Sequence, residues 1–142
     1  MKLFTCAFGL LIYIASTPQT LFGAGPGSKS SELSDTISSN CSCLWRTEGL
    51  LSARRIQYAR NGRIIGIRLY AVESNGCMER VGFKNGDIIR QIDDTKIDFP
   101  DSGNFEEVSA TLHPHEAALQ TAKLVTIERF GTMMTVQCNK SK

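Results

Sequence analysis

Gly66 to Asp94 reads GIRLYAVESNGCMERVGFKNGDIIRQIDD, a strand, a small-residue loop, one helical turn, a Gly-Asp turn and a second strand in unbroken order. Ile67, Leu69 and Val72 supply the first strand and Ile88, Ile89 and Ile92 the second, with β-branched residues that suit a pleated, half-buried surface. Between them each residue meets a local demand. Gly82 ends the short helix where φ is expected to be positive, Phe83 is expected to enter the core, Asn85-Gly86 to form a tight turn, and Asp87 to cap it.

Val81-Gly82-Phe83-Lys84-Asn85-Gly86-Asp87 resembles the signature of bacterial PDZ domains: a small or apolar residue, Gly, a large apolar residue, two variable positions, then Gly-Asp before an Ile/Val strand. The hairpin from Arg60 to Leu69, RNGRIIGIRL, is similar to the one that opens the periplasmic PDZ domain of the type II secretion inner-membrane component C. The likeness covers residues 54 to 138. It departs at Asp93-Asp94, where that family usually carries Asn-Gly, and in lacking a counterpart of the family's secretin-binding region. The resemblance implies an α+β, PDZ-like fold over residues 43–142: a small, partly open antiparallel β-barrel or sandwich with two helices.

The N-terminus reads differently. Lys2 precedes an apolar run from Leu3 to Ala15, and Pro18 and the small residues around Gly23-Ala24-Gly25 follow, which fits a signal peptide over residues 1–24. The run falls short of the about 20 apolar residues of a membrane span, although Leu21 and Phe22 extend it toward an uncleaved anchor. Export to the periplasm or beyond is expected, with inner-membrane anchoring if the segment is retained. Residues 25–42, beginning GPGSKSSELSDTISSN, are Ser- and Gly-rich and are expected to be a flexible linker.

With 16 Lys plus Arg against 14 Asp plus Glu, the chain is near neutral. Aromatic and basic residues do not interleave, so nucleic acid is not an expected partner, and Arg54-Arg55 reads as a solvated strand end.

Five cysteines include Cys6 in the leader, leaving Cys41, Cys43, Cys77 and Cys138, an even set suited to two disulfides in an oxidising compartment. Cys41 and Cys43 stand too close for an unstrained mutual bridge, so each is expected to reach one of the distant pair. Cys41-x-Cys43 with His113-x-His115 offers zinc-type ligands, but the spacing is wrong for a structural zinc loop and exported thiols oxidise. No metal or cofactor is expected, and a redox role for the C-x-C pair has little to support it.

Beyond Asp94, Phe105, Val108 and Leu112 recur at i, i+3 and i+7, marking an apolar helical face with Glu106 and Glu107 in the first turn. Pro114 is expected to stop this helix near His113, with a further turn through Glu116 to Leu119. Leu124 to Arg129 and Met133 to Val136 alternate as a closing hairpin around Phe130-Gly131.

Catalytic motifs do not emerge. The sequence holds no G-x-S-x-G, H-E-x-x-H, P-loop or dinucleotide fingerprint, and Ser109 near the two histidines reads as a surface residue. A non-enzymatic binding module is expected. The resemblance implies that an extended peptide or protein segment, a secretion substrate or secretion-system component, adds as a strand beside the second helix. The expected site is Ile65, Gly66, Ile67, Arg68, Leu69 and Tyr70 on the strand edge, faced by Phe105, Val108, Ser109 and Leu112 on the helix. Their plainer reading is core packing. An independent exported adaptor or protease regulator is the second class. Asn61-Gly62 reads as a two-residue type I′ turn with few N–H groups to cradle a carboxylate, so weak selectivity for a ligand's C-terminus is expected.

Overall fold

The computed structural model describes residues 35–139. The expected signal peptide and the first part of the expected linker lie outside the described residues. Eight strands and three helices run in the order β1 (Asp35–Asn40), α1 (Thr47–Leu51), β2 (Arg54–Arg60), β3 (Arg63–Tyr70), α2 (Cys77–Val81), β4 (Ile88–Ile92), β5 (Thr95–Lys96), β6 (Phe99–Pro100), α3 (Phe105–Ala118), β7 (Leu124–Arg129) and β8 (Thr132–Asn139). The fold class is α+β, as expected, with α1 an additional third helix.

The sheet follows the path β1-β8-β7-β4-β3-β2, with β5 appended to β4 and β6 to β3. It does not close, so β1 and β2 are its two ends. The strand pairs along the path are antiparallel except β1 with β8, which are parallel from Asp35 opposite Met134 to Asn40 opposite Asn139.

Residues 35–40, expected in the flexible linker, therefore form a strand. Ser-richness hid a period of two: Ile37 and Ser39 are half-buried while Asp35, Thr36, Ser38 and Asn40 are exposed. Ile37 lies against the end of α2, where a Cβ on Gly82 would come within 3.0 Å of its Cγ2, and the Ser39 hydroxyl donates to the Val81 carbonyl at 2.7 Å. The Cys41–Cys138 disulfide pins the strand's far end.

The signature stretch folds as its residues demand. Gly82 terminates α2 at φ +104°, Phe83 N–H donates back to the Met78 carbonyl at 3.0 Å, and the Phe83 side chain is fully buried. Val72, expected in the strand, lies beyond it, because the chain turns at Ala71 with φ +49° and Val72 N–H donates to Asn85 Oδ1. Ile67, Leu69, Ile89, Val125, Ile127 and Val136 fill the core face of the sheet, closed over by Met78, Leu112 and Leu119.

Asp87 does more than cap. Its Oδ2 accepts from Lys84 N–H at 2.8 Å, and its two oxygens take a bidentate pair of bonds from Arg129, each 2.8 Å. Arg129 also donates to the Gly82 carbonyl at 2.7 Å, so one guanidinium ties the signature loop to β7.

The helix α3 continues through Pro114, contrary to the expected stop at His113. Proline removes the N–H that would reach the Ala110 carbonyl, but both residues are exposed, so water can satisfy that oxygen. Contacts on either side hold the axis. Leu112 and Leu119 are buried, the His115 ring stacks on Phe99 with centroids 6.2 Å apart, and Glu116 pairs with Arg55. At the N-terminus, Asn104 Oδ1 accepts from Glu106 N–H at 3.0 Å.

Candidate functional site: an open sheet edge beside a helix

Strand addition needs backbone N–H and C=O groups that point away from the sheet. The expected edge, Ile65 to Tyr70, does not supply them. Its strand β3 is paired along one side with β2 and on the other with β4 at Ile67–Arg68 and with β6 at Arg63–Ile64. Ile67 and Leu69 are 0% exposed and belong to the core. Gly66 is required for packing, since a Cβ there would meet Ile88 Cγ2 at 2.5 Å and the Ile89 carbonyl at 2.7 Å. Ile65 is the extra residue of a β-bulge, and the Arg68 guanidinium lies 4.5 Å from the centre of the Tyr58 ring.

The open edge is the other arm of the hairpin, β2. The Asn61-Gly62 turn that joins the two arms has φ +52° and +70°, the type I′ geometry expected from its residues. Which β2 amides face outward follows from the ladder. Leu69 N–H donates to the Asp87 carbonyl and the Leu69 carbonyl accepts from Gly86 N–H, so Leu69 directs both polar groups toward β4. Its partner across the ladder, Arg55, therefore makes a non-hydrogen-bonded pair with it and directs its own groups away from the sheet. Two residues on, Gln57 opposite Ile67 does the same. Among the described residues no strand receives them.

Side chains of Arg55 and Gln57 point to the face carrying α3. At 3.6 residues per turn, Phe105, Ser109, Leu112 and Glu116 form one row along that helix. The row meets β2 at its C-terminal end, where Arg55 Nε donates to Glu116 Oε1 at 3.1 Å while another Arg55 nitrogen donates to the Leu50 carbonyl at 2.7 Å. Leu112 is buried, Ser109 is exposed, and Phe105, for which core packing was the plainer reading, is 72% exposed. Phe105 opens the helix beyond the last buried turn, which places its ring at the rim. Val108 lies on the neighbouring row and lines a cavity of about 240 Å³ with Phe99, Pro100 and Thr111 on the β6 side. Of the helix residues expected from sequence, Phe105, Ser109 and Leu112 share the row whose Glu116 meets Arg55 of β2, Val108 turns to the β6 side, and the expected strand residues lie on β3. Arg55, Gln57 and Glu116 were missed; the alternation in RRIQYAR was their signal.

The four cysteines pair as Cys41–Cys138 and Cys43–Cys77, one member of the C-x-C pair to each distant cysteine, as expected. No thiolate from either remains to join His113 or His115 at a zinc ion. Cys43–Cys77 fixes the segment leading into β2 against α2, helped by Ser52, whose hydroxyl donates to the Gly49 carbonyl and accepts from Met78 N–H. A larger cavity, about 740 Å³, is lined by Trp45, Gln120, Lys123, Leu124 and Gln137 and involves neither β2 nor α3.

No protein-family model matches the chain, and no curated protein matches it. Among solved structures the chain is similar to the PDZ domain of EpsC from Vibrio cholerae, residues 204-305, with 16% sequence identity and a TM-score of 0.41, over 66% of this chain and 83% of that one.

Proposed function

We infer that the protein is a non-catalytic binding module that takes an extended peptide or protein segment as an added strand on β2, between that strand and α3. The observation that carries this is the pair of outward-facing backbone units at Arg55 and Gln57 on a strand that is paired with β3 on one side and, among the described residues, with no strand on the other, with the α3 row meeting it at Arg55. Main-chain hydrogen bonds supply affinity and the side chains of the row supply selection. A role in type II secretion or envelope assembly rests on the sequence resemblance; an exported adaptor or protease regulator would use the same edge. Two disulfides fit an exported, oxidising compartment.

Gln57→Pro tests the reading directly. It removes an outward N–H without removing a β2–β3 ladder bond, a placement edge strands tolerate. The expected result is a melting curve close to wild type and loss of partners captured from envelope extracts. Ile56→Pro, one residue away, strikes a ladder bond and is expected to destabilise the hairpin. If Gln57→Pro keeps every partner, strand addition on β2 is excluded.

The ligand's end follows from the same correction. With β2 as the receiving strand, the loop ahead of it is 50–53 rather than Asn61-Gly62. There the Ser52 N–H donates to the Gly49 carbonyl at 3.4 Å and the Arg55 guanidinium is engaged by Glu116 and the Leu50 carbonyl, which leaves few donors to cradle a carboxylate. Amidating the C-terminus of a captured peptide is expected to change its affinity less than about threefold by calorimetry, below the tenfold that 1.4 kcal/mol represents.

A further inference from the structure

From Ala53 to Val72 the chain holds five arginines, Arg54, Arg55, Arg60, Arg63 and Arg68, and no acid, in a protein whose formal net charge is only +2. The structure sorts them. Arg55 is paired with Glu116, Arg63 with Asp98 at 2.6 Å, and Arg68 lies over Tyr58. Arg54 and Arg60 are exposed, and among the described residues no acid pairs with either. Both stand on the solvent face of β2, where they bracket Ile56 and Tyr58: across the ladder Arg54 opposes Tyr70, Ile56 opposes Arg68, Tyr58 opposes Gly66 and Arg60 opposes Arg63.

This arrangement disfavours a second copy as the occupant. Two β2 strands paired antiparallel over their whole length would set Arg54 of each opposite Arg60 of the other, and like charges directly opposite are destabilising. A segment with acids at those two places meets the opposite condition.

We propose that the β2 edge selects an acidic segment of the pattern acid-x-apolar-x-apolar-x-acid, with its two acids six residues apart opposite Arg54 and Arg60 and its apolar pair over Ile56 and Tyr58. The intervening positions turn toward Arg55, Gln57 and the α3 row. The proposal rests on strand addition at β2 and adds the charge pattern of the ligand. Main-chain bonds hold any extended segment there; the arginines decide which.

The test is fluorescence anisotropy with the labelled peptide Glu-Ser-Val-Thr-Ile-Ser-Glu, its version with both Glu replaced by Gln, and its version with both replaced by Lys. At low salt the acidic peptide is expected to bind roughly 5- to 10-fold more tightly than the Gln peptide, the scale of two cross-strand charge pairs. That advantage should disappear in the Arg54→Gln/Arg60→Gln variant and shrink in 0.5 M salt, where the screening length is only a few ångströms, about 4 Å. Equal binding of the Glu and Gln peptides overturns the charge selection and leaves strand addition standing. Binding of none of the three, or binding undiminished by Gln57→Pro, overturns strand addition and this proposal with it. Displacement of the acidic peptide by an equal concentration of a short single-stranded oligonucleotide would assign the arginines to polyanions in general and also overturn it.

Discussion

Asp87→Ala is expected to lower the unfolding free energy by about 3–5 kcal/mol, the cost of leaving one partner of a buried ion pair without the other. Asp87 is 1% exposed and accepts three bonds: two from Arg129 and one from Lys84 N–H. Truncation orphans all three donors around a loop whose Gly82 carbonyl is held by the same arginine. Arg129→Met should cost a comparable amount, and the double variant less than the sum, because each single change already removes the shared interaction. The pH dependence has a definite sign. Hydrogen bonding to Asp87 raises the Arg129 pKa above its ordinary value, opposed by desolvation and aided by the carboxylate's charge. A group with a raised folded pKa contributes fully below its unfolded pKa and loses that contribution only as pH rises through the folded one. For a guanidinium that window lies far above neutrality, so Arg129's contribution should be constant from pH 5 to 9. Guanidinium chloride unfolding with the disulfides intact measures the loss; less than about 1 kcal/mol for Asp87→Ala would show that the pair does not hold the loop, since that is the range of an exposed pair.

Local backbone demands were legible in the sequence and pairing between distant segments was not. Gly82, Phe83, Asn85-Gly86 and Asp87 each meet a requirement set within a few residues, and each stands as expected. The partner of Asp87 was not foreseeable, because Arg129 lies 42 residues away in a strand that could have faced either side. The open edge of the sheet was expected on β3 and lies on β2, the other arm of the hairpin, for a related reason. Ile65, Ile67 and Leu69 are the more apolar arm, and this arm lies within the sheet with partner strands on both sides. Edge strands in soluble proteins carry charges that discourage unwanted pairing, and RRIQYAR has that composition. Pro114 misled in the opposite direction: its local preference against helix was outweighed by tertiary anchors at Leu112, His115, Glu116 and Leu119. Phe105 fits the helical period of its buried neighbours, yet periodicity cannot tell a residue under the sheet from one beyond its rim.

Replacing Cys41 and Cys138 together by Ala is expected to cost about 4–5 kcal/mol, the chain-entropy value for a closed loop near 100 residues. The bridge spans 97 residues, while Cys43–Cys77 spans 34 and should contribute roughly 1 kcal/mol less on the same logarithmic dependence. The local consequence is more specific than the global one. β1 buries little of itself: three of its six residues with even spacing and Asp35 face solvent, and its inward contacts are Ile37 on α2 and Ser39 on Val81. Without the covalent tie at its end, a strand of such small burial should open far below the global unfolding free energy, as weakly packed terminal segments do. β2 lies at the opposite end of the sheet path, and its approach segment is held by the other disulfide. Hydrogen exchange on the double variant should therefore show β1 amides losing protection first while β2 and β3 keep theirs, and a peptide that binds the wild-type protein should still bind below the lowered melting temperature. Replacing Cys43 and Cys77 should reverse the pattern, loosening the entry to β2 and weakening peptide binding while β1 stays protected. Equal loss of protection across both ends in either variant would mean that the two bridges stabilise one cooperative unit rather than its two separate edges.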